Sequence, residues 1–371
     1  MLDLRPLVID DNDVVLGGNM RLAALKDLGY KEVPDNWIRR ASELTEDERR
    51  RFQITDNASF GEWDWDLLTN EWDAEELAAW GLDLPDFVDA AELEVTEDAP
   101  PSLDQAEELN KKWQVNLGDL WQIGQHRLFC GDSTKAESSA RLMNGERADI
   151  CLTSPPYNVG DNAALNNNTH TVNTKYIGAN SDDLSLEAYL NLLDSFTKRT
   201  LECADFAFVN LQMVAGNKLA MVDYLSLFRE HLADILIWDK ENAAPAMAER
   251  VVNSQFEYIF VFAFQDFPSR AIGKRDFRGT VPNVYRAPQQ RNNEFADSHA
   301  ATFPLHLPAW LIKTFTDEKQ IVLDPFGGTG TTMLASEQLN RECRMIELEP
   351  KYCAVILERL TKLGLSAKRI D

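Results

Sequence analysis

Two short stretches carry residue types and spacings suited to chemistry. The first is Thr153-Ser154-Pro155-Pro156-Tyr157-Asn158, directly after the apolar run 148–152. Two prolines fix φ and restrict the residue before them. Such a turn holds the Ser154 hydroxyl and the Pro155 carbonyl as rigid acceptors at a strand end, with the ring of Tyr157 beside them. Rigid acceptors next to a flat aromatic plate suit a planar base carrying an exocyclic amine. Taken alone, a Pro-Pro turn after a strand is more often only a turn. The second stretch is Ile321-Val322-Leu323-Asp324-Pro325-Phe326-Gly327-Gly328-Thr329-Gly330-Thr331-Thr332. An apolar strand ends in an acid, a glycine-rich turn follows, and a helix begins. Gly328 and Gly330 let backbone approach a ligand closely, and the helix N-terminus adds donors. Glu347 ends the next strand, 23 positions after Asp324. That is near the ~20-residue spacing at which a carboxylate grips ribose hydroxyls in nucleotide-binding βαβ units. A structural turn in another α/β protein is the alternative, because fold alone does not fix function.

Together the two stretches resemble the amino-methyltransferases of DNA that use S-adenosylmethionine and modify N6 of adenine or N4 of cytosine. The catalytic motif of that family is Asp, Asn or Ser followed by Pro-Pro and an aromatic, here Ser154, Pro155, Pro156 and Tyr157. Its cofactor motif, Asp-Pro-Phe-x-Gly-x-Gly-Thr-Thr, stands complete at 324–332. The catalytic motif precedes the cofactor motif, which is the order of the β group, whose members place the DNA-reading segment between the two. The resemblance covers roughly residues 111–365. It implies a Rossmann-like α/β sheet of seven strands, mostly parallel, with both motifs on adjacent central strands. It also implies cofactor contacts from Asp132, Thr302, Phe303, Asp324, Phe326, Gly328, Gly330, Thr331 and Glu347. Trp238-Asp239-Lys240 and Phe256-Glu257-Tyr258 resemble the strand ends that flank the base pocket. Family members often dimerise, so a homodimer stays open. No nuclease motif with metal-binding carboxylates occurs, so neither a metal nor a restriction partner within the chain is expected.

The chemistry needs these residue types. An exocyclic amine is a poor nucleophile because its lone pair is delocalised into the ring. Acceptors at Ser154 and Pro155 would bond the amine hydrogens and favour a pyramidal nitrogen. The base must leave the stack to be reached, and Tyr157 would stack on it there. Methylation at carbon 5 of cytosine would need a cysteine nucleophile preceded by proline, and no Pro-Cys pair occurs. Ser154 is commoner in cytosine-N4 enzymes and Asn158 in adenine-N6 enzymes of this group. Adenine N6 is taken ahead of cytosine N4. RNA or protein glutamine as substrate, and a non-catalytic DNA-binding scaffold, are the other readings. An intact Ser-Pro-Pro-Tyr has no use in a pure binding module.

The elements that position these residues are legible as strands over 148–152, 206–210, 235–238, 258–264, 321–323 and 343–346. Helices are expected over 186–203, 215–230, 308–315, 331–339 and 350–363. Strands alternating with helices argue a largely parallel sheet covered on both faces. Ahead of this domain, expected at 111–371, residues 86–110 are acidic, include Pro100-Pro101 and suit a linker. Residues 1–85 open with a hairpin over 2–9 and 14–16, turned at Asp10-Asp11-Asn12-Asp13, then a helix over 20–28 stopped by Gly29. Thr45 and Glu48 have capping-box spacing for another helix. The tryptophans between 60 and 84 suit short amphipathic helices. Gly17-Gly18-Asn19-Met20-Arg21 resembles the Gly-Glu-Arg-Arg region of ParB-like domains. Only Gly18 and Arg21 match, so the resemblance implies a small, truncated α+β ParB-like domain of the kind that precedes phage and prophage methyltransferases, and leaves nucleotide hydrolysis unsupported.

Charge bears on the partner. The net charge of the 371 residues is −24, which alone would argue against nucleic acid. Residues 1–109 hold 29 acids and 9 bases, whereas residues 110–371 hold 32 acids and 28 bases. The acidity therefore belongs mostly to one segment, and steering of a polyanion depends on local field. Residues 250–293 carry seven bases against three acids. Arg270, Lys274, Arg275 and Arg278 are candidates for phosphate contact on double-stranded DNA, and Asn158 for base contact. The target-recognition segment is expected within about 161–298. The polar loop 161–180, with Asn166-Asn167-Asn168-Thr169-His170, contacts base edges or is simply a polar loop beside the site. Five scattered cysteines without a C-x-x-C pair, no apolar membrane span and no signal-peptide pattern point to a reducing cytoplasm.

Overall fold

The computed structural model describes residues 6–43, 45, 95, 105–159, 183–241, 250–265, 270–273, 277, 280–287 and 304–371. The chain divides into two compact units, residues 1–87 with 277–281, and residues 88–276 with 282–371.

In the first unit, β1 (Leu7–Ile9) pairs antiparallel with β2 (Val15–Gly17) and parallel with β3 (Ile38–Arg40). The Asp10 carboxylate accepts the backbone N–H groups of Asn12 and Val14, both at 2.8 Å, and so closes the turn between β1 and β2. This is the aspartate turn chemistry that the sequence announces. Helix α1 (Asn19–Asp27) follows, and Gly29 sits beyond its end at φ +85°. Leu7, Val8, Ile9, Leu25 and Ala41 are buried. The helix expected from Thr45, and the tryptophan-bearing helices, lie outside the described residues.

The second unit begins with α2 (Ala106–Trp113), β4 (Leu120–Ile123), β5 (His126–Cys130) and α3 (Ala136–Met143). Then come β6 (Ala148–Thr153), α4 (Leu186–Cys203), β7 (Ala204–Leu211), α5 (Lys218–Leu227), β8 (Leu232–Asp239) and β9 (Phe256–Ala263). The chain continues through β10 (Val284–Arg286), α6 (His306–Phe315), β11 (Ile321–Asp324) and α7 (Thr331–Gln338). It ends with β12 (Glu342–Glu347), α8 (Pro350–Lys362) and β13 (Ala367–Arg369).

Among the described residues these strands form one ten-stranded sheet, ordered β10-β8-β9-β7-β6-β11-β12-β5-β4-β13. The run β7-β6-β11-β12-β5 is parallel throughout. β9 enters between β7 and β8, antiparallel to both. β4 and β13 extend one edge antiparallel, and β10 extends the other parallel to β8. The expected seven strands thus become ten in a mixed sheet. The additions at the two edges are three or four residues long, too short to show a period in sequence.

One further expectation is corrected. The linker boundary at 110 falls inside α2, whose Ala106 and Leu109 are buried against a core that includes Cys353, Leu357 and Leu360 of α8. Trp113 Nε1 donates to Glu358 at 3.0 Å. An acidic composition concealed that i, i+3 apolar pair. The span 161–298, within which the DNA-reading segment is expected, holds β7, β8 and β9, in line with the strands expected over 206–210, 235–238 and 258–264. The other face of the sheet packs Tyr189, Leu193 and Phe196 of α4 and Tyr224 of α5 against β6, β7 and β9.

Candidate active site

β6 and β11 are neighbours, with Val322 opposite Ile150 and Leu323 opposite Cys151. After β6 the chain crosses to β7, and after β11 it crosses the other way to β12. This is the switch point at which open α/β sheets bind ligands, beyond the carboxyl ends of the strands. Both sequence motifs emerge there. They are stitched together by Thr153, whose Oγ1 donates to Asp324 Oδ1 at 2.9 Å. The same Asp324 oxygen accepts the Phe326 N–H at 3.1 Å. Burial pushes the Asp324 carboxyl up to about 6, against the opposing hydrogen bonds from Thr332, Phe326 and Thr153.

The glycine loop is folded back on β12. Gly327 N–H donates to the Ile346 carbonyl at 2.9 Å, and Gly330 N–H to the Gly327 carbonyl at 2.8 Å. Gly330 has φ +83°, and a Cβ there would meet Ile356 at 3.0 Å. Only glycine gives both that conformation and that closeness of α7 to α8. The buried Arg359 of α8 donates to the Thr329 carbonyl at 3.0 Å and to Thr331 Oγ1 at 3.2 Å, bracing the loop from beneath. Glu347 Oε2 accepts the Gly328 N–H at 2.7 Å, and Oε1 accepts the Glu349 N–H at 2.9 Å. Burial raises its carboxyl to about 7; the two N–H bonds oppose this, and the charges of Glu349 and Asp324 add to it.

A cleft opens beside the loop, lined by Gly131, Asp132, Ser133, Phe326, Glu347 and Leu348 among others. It brings Asp132, Phe326 and Glu347 to one place although they are scattered over more than 200 positions of the chain. Asp132 Oδ1 accepts the Thr134 N–H at 2.9 Å and the Thr134 hydroxyl at 2.7 Å. Phe326 packs edge-on to Phe196, ring centres 5.0 Å apart. Carboxylates beside apolar and aromatic walls fit a nucleoside with ribose hydroxyls. Each Glu347 oxygen retains a second lone pair for them. Thr302 and Phe303 lie outside the described residues.

The turn after β6 is equally well anchored. Pro155 and Pro156 are buried, and the Pro156 carbonyl accepts the Tyr189 hydroxyl at 2.8 Å. Tyr157 hydroxyl donates to Glu257 Oε2 at 2.7 Å and lies 2.9 Å from Asn210 Oδ1. Ser154 Oγ is 3.2 Å from the Tyr157 hydroxyl and 3.5 Å from Asn210 Oδ1. Behind them, Lys240 Nζ pairs with Glu257 Oε1 at 3.2 Å, both side chains buried.

A match to the DNA methylase family model covers residues 148–358, including both motifs and every strand from β6 to β12. The chain belongs to the DNA methylase family. Members of this family are S-adenosylmethionine-dependent methyltransferases of adenine N6 or cytosine N4. Over 150 residues this DNA methylase is 33% identical to Type II methyltransferase M.XycI of Xanthomonas campestris pv. cyanopsidis, covering 38% of this chain and 48% of that protein. Over 43 residues it is 58% identical to Type II methyltransferase M.HindIII of Haemophilus influenzae, covering 12% and 14%. The chain spans about half the length, or less, of the curated relatives it matches. Among solved structures, PvuII DNA methyltransferase (cytosine-N4-specific) aligns with a TM-score of 0.48 and 18% identity, over 67% of this chain and 95% of that one.

Two expectations for this DNA methylase change on the DNA side. Asn158, expected to face DNA, is 3% exposed. Its Nδ2 donates to the Leu184 carbonyl at 2.9 Å, and its Oδ1 accepts the Leu184 N–H at 2.6 Å. At φ +57° it is a buried turn anchor, a role to which asparagine is suited by its tolerance of that region. Arg270 is exposed, but its Nη2 is held by both oxygens of Asp234 at 3.0 Å. Lys274, Arg275 and Arg278 lie outside the described residues. Asn210 and Arg359 were absent from the sequence-based site. The signal for each was a polar residue within an apolar run, in Phe206-Ala207-Phe208-Val209-Asn210 and in Val355-Ile356-Leu357-Glu358-Arg359.

Proposed function

We propose that the chain transfers a methyl group from S-adenosylmethionine to an exocyclic amine of a base in double-stranded DNA. The observation that carries this is the Thr153–Asp324 hydrogen bond, which holds the Ser-Pro-Pro-Tyr turn and the glycine loop side by side. One motif alone would be a turn; two motifs tied together give a place for a donor beside a place for an acceptor.

S-adenosylmethionine supplies an activated sulfonium methyl. Glu347 and Asp132 take its ribose and adenine side, Phe326 and Leu348 give apolar contact, and the loop at 327–331 brings backbone close. Ser154 Oγ and the Pro155 carbonyl accept the amine hydrogens, and the Tyr157 ring carries the base once it has left the stack. Orientation of the nitrogen in line with the methyl is the main catalytic term, on the order of 5 kcal/mol or more. The nitrogen would gain the methyl as the methyl–sulfur bond breaks and S-adenosylhomocysteine leaves, and would give up one hydrogen as a proton to solvent water. Ser154 serves adenine N6 and cytosine N4 alike, and with Asn158 taken up by Leu184 the residue that favoured adenine has another task. The first unit is proposed as ParB-like on the strength of Gly18, Arg21 and its small α+β sheet.

Modification-sensitive sequencing of DNA from cells expressing the protein tests this reading. A methylated adenine or N4-methylcytosine in a defined sequence context is expected. Unmodified DNA, with the purified protein also unable to transfer label from tritiated S-adenosylmethionine, would reject it.

A further inference from the structure

Glu257 and Lys240 form a buried ion pair at the wall of the active site, 5% and 4% exposed. Burying two charges is a poor way to gain stability, since apolar residues of similar volume do as well or better. Their position is more telling. Glu257 sits on β9 opposite Trp238 of β8. One of its oxygens faces Lys240, which also reaches Gln212 Oε1 at 3.3 Å, and the other takes the Tyr157 hydroxyl.

The hydrogens at this site can be counted. A carboxylate paired with an ammonium accepts only. The phenolic hydrogen of Tyr157 therefore goes to Glu257 at 2.7 Å, the shorter and charge-assisted contact. Asn210 Nδ2 is committed to the Tyr258 carbonyl at 3.2 Å, so Asn210 turns its Oδ1, an acceptor, toward Ser154 and Tyr157. Ser154 thus faces two oxygen atoms that have no hydrogen to offer it. Its own hydrogen points to one of them, and its lone pairs are left for whatever lies on the other side.

We propose that Glu257, held by Lys240, is a positioning residue that fixes the direction of this hydrogen-bond chain and so makes Ser154 an acceptor. A substrate amine is a hydrogen-bond donor, and an acceptor at Ser154 is what it requires. This rests on the proposed amino-methyl transfer but assigns a role to a residue outside both motifs. Glutamine at 257 breaks the rule, because its amide presents N–H or C=O to Tyr157. The chain then runs in either direction, and Ser154 spends part of its time as a donor.

The test is a double-variant cycle in single-turnover methylation of unmethylated genomic DNA with tritiated S-adenosylmethionine. It compares wild type, Glu257→Gln, Ser154→Ala and the double variant, with KM for DNA, calorimetric cofactor affinity and the thermal midpoint recorded alongside. Glu257→Gln is expected to lower the transfer rate about ten-fold, the scale of one hydrogen bond, with KM and cofactor affinity kept. In the Ser154→Ala background the same change should cost nothing further. A wild-type rate in Glu257→Gln, or a full ten-fold loss added to that of Ser154→Ala, overturns the proposal. If Glu257→Gln leaves Lys240 unpaired and the fold fails, Lys240→Met with Glu257→Gln replaces the pair, with the same two outcomes read in the same way. No transfer by the wild type rejects the methyltransfer reading itself, an outcome distinct from the other two.

Discussion

The carboxylate of Glu347 accepts the Gly328 N–H at 2.7 Å, so the acid at the end of β12 is locked to the glycine loop at the end of β11. The acid and the loop backbone proposed to meet the cofactor are thereby held together. Replacing Glu347 with Ala should weaken S-adenosylmethionine binding by roughly 1.5–3 kcal/mol, the value of a hydrogen bond to a charged group. Isothermal calorimetry on the apo protein measures this, and unchanged affinity would remove Glu347 from the site.

The same carboxyl gives the binding a pH dependence. Burial raises it to about 7, so below that pH it is increasingly protonated and less able to accept ribose hydroxyls. Affinity is expected to fall as pH drops from 8 to 6 in the wild type and to fall less in Glu347→Gln. Titration calorimetry across that range decides it.

Stability runs the opposite way. The folded-state values of Glu347, about 7, and Asp324, about 6, lie above the ordinary 4.5 and 3.8. Between the ordinary and raised values the folded protein binds more protons than the unfolded chain. The contribution of these groups to stability therefore declines as pH rises through that interval. The thermal midpoint of apo Glu347→Gln should drop less than that of the wild type between pH 5 and pH 8. Parallel curves would show that Glu347 is ionised throughout.

At the catalytic turn, Tyr157→Phe and Tyr157→Ala separate two roles. Phenylalanine keeps the stacking face and loses the bond to Glu257; alanine loses both. Alanine should cost an additional ~1–3 kcal/mol in productive base binding, by analogy with base–aromatic stacking. Cofactor affinity should stay near wild type in both. Equal transfer rates for the two variants would show that the ring does not carry the base.

Asn158→Ala is expected to act on stability, by about 1 kcal/mol, because it removes both part-buried hydrogen bonds to the Leu184 backbone. Urea unfolding reads this, and the folded variant should keep the salt dependence of DNA binding. A reduced salt slope at unchanged stability would return Asn158 to the DNA side. In the basic segment, neutralising a side chain that meets a phosphate should lower the slope by about one unit. Arg270→Ala should lower it by less, because Asp234 already neutralises part of that charge.

The sequence alone was enough to locate both motifs, because their residues are consecutive and the constraint is local. Proline fixes Ser154–Pro155, glycine permits Gly330, and an apolar strand before each turn is visible as a run. It was also enough for α4, whose expected bounds 186–203 match Leu186–Cys203, where apolar positions recur at helical spacing over five turns. The place of Glu347 at the end of the strand after the glycine loop was legible by distance along the chain, since one βαβ unit has a nearly fixed length.

Tertiary structure decided what those residues touch. Asn158 and Ser154 are both polar and stand four positions apart in one turn. Only the fold placed one against the Leu184 backbone and left the other beside Tyr157. Glu257 and Lys240 are 17 positions apart, and nothing in their spacing links them to Tyr157, a hundred positions upstream. Their meeting depends on β9 returning antiparallel between β7 and β8, a strand order that hydrophobic periodicity does not encode. A side chain's role at this site follows from which hydrogens its neighbours have already used, and that is a property of packing in three dimensions.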